Sequence, residues 1–182
     1  MTPWALTAFL VSIVSLGSAS AASKPMPQNS ARSSACAIPQ EKQFEFWVGQ
    51  WNLTWPGEKP GEVQHGTNTI RRVLDGCVIQ ESFEGGASMH LRGTSVSTFD
   101  QRTGKWKQTW VDNEGGYLDF VGQFENGQMV LSREATAADG KTFLQRMVWK
   151  NITADALDWS WEASQDGGKT WLVRWPIHYS RR

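Results

Sequence analysis

The sequence predicts an all-β protein, a single antiparallel up-and-down β-barrel of about ten strands entered through one short N-terminal helical turn. Three observations predict it. From Val48 onward, apolar and polar residues alternate in short runs, the period-two signature of strands with one buried face, and no long helical period appears. Turn-forming pairs separate these runs, among them Asp75-Gly76, Thr103-Gly104, Asn126-Gly127, Asp139-Gly140 and Asp166-Gly167. Tryptophan is the third: 11 occur in 182 residues, several spaced two or four apart so that they share a face. That much indole needs a core or a pocket.

Taken in chain order, Trp4 to Gly17 form an apolar run, followed by Ala19 and Ala21 in A-x-A spacing. Residues 1–21 therefore read as a signal peptide cleaved after Ala21. No Lys or Arg precedes the run, so an uncleaved anchor is the alternative. Residues 22–39 are rich in Ser, Pro, Asn and Ala without apolar periodicity and read as a disordered leader, leaving residues 40–182 as the barrel domain. Export makes the protein secreted or periplasmic, with no membrane association after signal cleavage. An oxidising compartment would join Cys36 to Cys77 across a loop of about 40 residues, a bridge contributing roughly 3–4 kcal/mol. Two buried free thiols are the alternative.

Gln40 to Trp47 is the helical turn, with Phe44 and Trp47 three apart and placed to cap one end of a barrel. Strands begin near Val48, Val63, Cys77, His90, Lys105, Tyr117, Gln128, Lys141, Ala156 and Lys169. In the last, Trp171, Val173, Trp175 and Tyr179 read as one row, which turns His178 to solvent. A two-sheet sandwich would use the same strands. Its facing layers favour medium-sized aliphatics, whereas here bulky indoles alternate with Gly, Ser and Gln, which favours a barrel with a lined interior.

With the tryptophan face inward, the lining includes Trp51, Leu53, Trp55, Ile79, Glu81, Phe83, Trp106, Gln108, Trp110, Phe143, Gln145, Met147, Trp149, Trp159, Trp161, Trp175 and Tyr179. Glu81, Gln108 and Gln145 are the polar members. An unpaired buried charge or amide costs several kcal/mol, so these three must find partners in one another, in water or in a ligand. The candidate ligand-binding set is Glu81, Gln108, Trp110, Gln145, Trp149 and Trp159.

Composition and motifs bound the chemistry. Equal numbers of acidic and basic residues, 18 each, imply no nucleic-acid partner. There is no G-x-S-x-G elbow, H-E-x-x-H helix or glycine-rich phosphate loop, so no catalytic residue is assigned. Two cysteines and three histidines give little basis for a metal centre, and no cofactor is expected. A haem ligand would require an inward His178, against its parity, and a His65–Glu81 acid–base pair has no support beyond residue type. Ser164 to Trp171 fits the S-x-D-x-G-x-T-W pattern of a self-bonded hairpin and predicts a turn after the ninth strand. Asn52 and Asn151 head Asn-x-Thr sequons.

Four segments carry a resemblance: Phe44 to Trp51, Leu74 to Glu81, Phe99 to Asp112, and Asp166 to Trp171. Together they resemble the DUF1579 family of uncharacterised proteins, over about Gln43 to Arg182. That family is similar to the lipocalin-like, or calycin, barrels. Gly49-Gln50-Trp51 on the first strand and Arg181 after the last resemble the calycin closure, in which the indole packs under a basic side chain. The resemblance implies a fold and no activity. Three functional readings remain: a carrier of a small hydrophobic or aromatic ligand, which the lining favours; a packed barrel acting through its surface; and a barrel enzyme.

Overall fold

A computed structural model describes Cys36, residues 38–87 and residues 89–182. The expected signal peptide, residues 1–21, and all but Cys36, Ile38 and Pro39 of the expected leader lie outside the described residues. Cys36 is disulfide-bonded to Cys77, and Pro39 opens a 3₁₀ helix, Pro39–Trp47. Proline suits that first position because its missing N–H has no partner to lose there. The helix ends at Val48, whose amide donates to the Glu45 carbonyl at 3.1 Å and whose backbone is already extended. A three-residue turn stacks Phe44 and Trp47 on one side, and both are buried.

Ten strands follow: β1 (Gly49–Pro56), β2 (Val63–Val73), β3 (Val78–Glu84), β4 (Arg92–Asp100), β5 (Lys105–Asp112), β6 (Tyr117–Glu125), β7 (Gln128–Thr136), β8 (Thr142–Lys150), β9 (Ala156–Ser164) and β10 (Leu172–Arg181). Each pairs antiparallel with its neighbours in sequence, and β1 pairs with β10 to close the barrel. Closure removes both sheet edges. In the seam, Trp51 faces Arg181 and Leu53 faces Tyr179.

The inward rows follow the tryptophan parity on β1, β3, β5, β8 and β9, where Trp51, Leu53, Ile79, Trp106, Trp149 and Leu157 are all buried. On β10 the single-row reading fails. A bulge between Val173 and Trp175 shifts the register by one residue, so Trp175, Ile177 and Tyr179 face the lumen while Val173 is exposed. Trp171 precedes the strand and lies outside the inward row, with the Arg146 guanidinium 4.0 Å from its ring centroid and Glu162 bonded to that arginine. Phe143, expected in the lining, is only half-buried at the loop end of β8.

The helix side of the barrel is solid. Phe44 stacks on Trp47 at 5.0 Å and meets Trp106 and Trp149 edge-on at 5.3 and 5.0 Å. Arg181 locks this end. Its guanidinium lies 4.1 Å from the Trp51 ring centroid and donates to the carbonyls of Ala154, Val48 and Phe46 at 2.7, 3.0 and 3.2 Å, while the Trp51 indole donates to Trp47 O at 2.8 Å. Gly49 makes room for it: a β-carbon there would stand 2.2 Å from Arg181 Nη1, and its φ of +145° disfavours other residues.

The Ser164–Trp171 hairpin is self-bonded. Asp166 accepts from the Ser164 hydroxyl and from the Thr170 amide and hydroxyl, and the Trp171 indole donates to Gly168 O at 3.1 Å. Asn52 and Asn151 are both exposed at the helix end. No helix among the described residues is long and apolar enough to cross a membrane.

Candidate functional site: the upper lumen

Above this packed base the barrel is hollow, with a cavity of about 230 Å³ that reaches the loop end, where Leu91 and Asp112 are half-buried. Its walls are mostly aromatic: Phe83 from β3, Trp110 from β5, Phe120 from β6, Trp159 and Trp161 from β9, and Trp175 from β10. Leu118, Met147 and Ile177 fill between them, while Trp149, Tyr179 and Glu81 reach it from below. The volume exceeds the roughly 150 Å³ known to hold benzene and approaches the lower limit for drug-sized sites, about 300 Å³. One or two rings, or a short chain, match it.

A run of edge-to-face indoles rises from the packed base through the wall, where Trp149, Trp159 and Trp175 line the cavity. Trp47, Trp149, Trp159, Trp175 and Trp55 follow one another at centroid distances of 5.2, 6.4, 5.7 and 5.6 Å. The Nε1 atoms of Trp149 and Trp175 are buried and have no hydrogen-bond partner among the described residues. Trp110 can lie across β4 because Gly93 has no side chain, and a β-carbon there would come within 2.0 Å of its ring. Its indole donates to Asp112 Oδ2 at 2.9 Å.

Glu81 carries the charge at the floor. It is buried, accepting from Asn68 Nδ2 at 2.7 Å and from the Ser95 hydroxyl at 2.6 Å. The same Asn68 amide donates to the Tyr179 hydroxyl at 3.2 Å. Loss of hydration outweighs the Ser95 and Asn68 bonds and pushes the Glu81 carboxyl up to about 7. Burial and the Glu81 charge likewise hold the Tyr179 phenol above its ordinary range. Asp112 at the rim goes the other way, held below its ordinary value by the Trp110 indole and the Gly116 amide.

Of the six residues singled out from the sequence, the structure brings Glu81, Trp110, Trp149 and Trp159 together around the cavity. Gln108 faces inward but lies beneath it, buried and donating to the Ser97 hydroxyl at 2.9 Å. Gln145 is half-buried and accepts from Arg133 at 3.1 Å, beside the Phe120 ring that Arg133 also approaches. The three polar residues find separate partners, none in one another. His65, His90 and His178 are exposed, and His178 bonds Asp158 at 2.7 Å on the outer face. Among the described residues no three His, Cys, Asp or Glu side chains are grouped to hold a metal ion.

A family model described as a protein of unknown function, DUF1579, matches residues 39–181, which takes in the helix, every strand and Arg181. The chain belongs to the DUF1579 family. No protein of curated function matches it. In this DUF1579 barrel, sequence reasoning missed the floor residues Asn68 and Ser95 and the β6 wall, Leu118 and Phe120. The signal was present on β4, where Ser95 and Ser97 alternate with Thr94, Val96 and Thr98, small polar residues in the inward phase. On β2 and β6 glycines interrupt the inward row and hide the period.

Proposed function

We propose that this protein is an exported carrier that takes a small, mostly apolar molecule into the upper lumen of its barrel. One observation carries the reading: the core is solid at the helix end and hollow at the loop end, and the hollow part is walled by aromatics with a few polar groups. A barrel built only for stability gains by filling such a space, since each unfilled cavity costs lost contact and transfer energy. The placement of Glu81 at the floor and Asp112 at the rim gives a ligand orienting contacts. Export is supported by the apolar N-terminal run with its A-x-A site and by the Cys36–Cys77 disulfide.

The test is a titration of intrinsic fluorescence with 1-naphthol and with indole, on the parent and on Ile177→Trp, which fills the cavity from β10. The parent saturates with either probe, and the filled variant, folded by its melting profile, does not. Failure of both probes to perturb the parent up to their solubility refutes the lumenal reading.

A further inference from the structure

Resting on the lumenal reading, we infer that the ligand class is a monovalent organic cation: an amine or quaternary ammonium with an aromatic or short aliphatic body. Two features of the cavity converge on this. First, its fourteen lining residues include two carboxylates, Glu81 at the floor and Asp112 at the rim, and no Lys, Arg or His. Arg133, in the inward phase of β7, stands outside that lining: it donates to the Gln145 carbonyl at 3.1 Å and lies 6.0 Å from the Phe120 ring on the adjacent strand β6. Second, eight of the fourteen are aromatic, and ring faces attract a desolvated cation more strongly than they attract its neutral isostere. A carboxylate ligand would meet Glu81 within a lining that supplies no cation, a cost that a cationic ligand turns into a gain.

Proton linkage supports the assignment. Burial holds Glu81 near neutrality, so an incoming ammonium stabilises its ionised form and displaces its proton. The groups facing Glu81 are Asn68 on β2, Ser95 on β4 and Tyr179 on β10, of which only Tyr179 titrates, above this range. Asp112 is ionised throughout.

The experiment compares three probes of one shape: phenyltrimethylammonium, its neutral carbon isostere tert-butylbenzene, and benzoate, each by fluorescence titration at pH 6 and pH 8. The cation binds at least about tenfold more tightly than the isostere at pH 8, and benzoate does not bind. Its affinity falls severalfold at pH 6, where Glu81 is largely protonated, while that of tert-butylbenzene is unchanged. Glu81→Gln removes both the preference and the pH dependence. Asp112→Asn lowers the preference without moving the pH midpoint, and serves should Glu81→Gln fail to fold. If tert-butylbenzene binds as tightly as the cation, or benzoate binds, the cation assignment is overturned and the lumenal reading stands. If none of the three binds, while 1-naphthol and indole also fail, both fall.

Discussion

Replacing Glu81 by Gln separates what this residue costs the fold from what it offers a ligand. The amide is isosteric: its oxygen accepts from Asn68, and its nitrogen donates to the Ser95 hydroxyl, which turns from donor to acceptor. The variant therefore mimics the protonated acid at every pH. In the native protein the carboxyl titrates at about 7 against an ordinary 4.5, and each tenfold change in proton affinity is worth about 1.4 kcal/mol, so the full effect is about 3 kcal/mol. The sign follows from proton binding. Below pH 4.5 native and unfolded chains both hold the proton, and the raised pKa is no handicap. Between pH 4.5 and about 7 the unfolded chain releases it freely while the native chain does not, so parental stability falls as pH rises. Urea unfolding, followed by far-ultraviolet circular dichroism with the disulfide intact, gives the stability difference between variant and parent at pH 4.5, 6, 7 and 8. All other titrations cancel in that difference. It grows by about 3 kcal/mol in favour of the variant from pH 4.5 to pH 8. A difference that is flat or shrinks with pH would falsify the buried, desolvated floor.

Four further outcomes follow from the same geometry. Trp51→Ala removes a buried indole beneath Arg181 and costs about 3–5 kcal/mol by urea unfolding; a variant melting with the parent would place the first strand elsewhere. Gly49→Ala forces a β-carbon onto Arg181 Nη1 at a strained φ and lowers stability by about 1–3 kcal/mol, an effect that Arg181→Ala in the same chain partly relieves. Alkylation without reductant labels neither Cys36 nor Cys77, and reduction lowers the unfolding free energy by about 3–4 kcal/mol; labelling of both without reductant rejects the bond. Gln108→Leu strips the Ser97 hydroxyl of its buried partner and costs about 1–2 kcal/mol of stability, yet leaves 1-naphthol affinity unchanged because Gln108 lies below the cavity.

The barrel itself was legible because its two signals are local. Alternation assigns each side chain to a face, and turn pairs mark where a strand stops, so ten strands emerge within a few residues of their true starts. The site was legible only as a set of inward positions. Parity says that Gln108 and Gln145 point inward, but not that one is sealed against Ser97 while the other holds Arg133 near the rim. Height along the barrel axis depends on strand stagger, which is a property of pairing rather than of any one strand. The partners of Glu81 come from β2 and β4, where glycines and serines blur the apolar period. The β10 bulge escaped for a related reason: its extra residue has no compositional mark, since Val173, Arg174 and Trp175 continue an ordinary alternation.

The edge-to-face run from Trp47 to Trp55 makes this molecule an optical relay. Transition dipoles this close exchange excitation before they emit, so light absorbed at the base reaches the rim and leaves from whichever indole lies lowest in energy. A guest touching Trp175 alone therefore dims or shifts emission that was absorbed by its neighbours, and deleting the middle link, Trp159, removes the ring contacts that join Trp149 to Trp175.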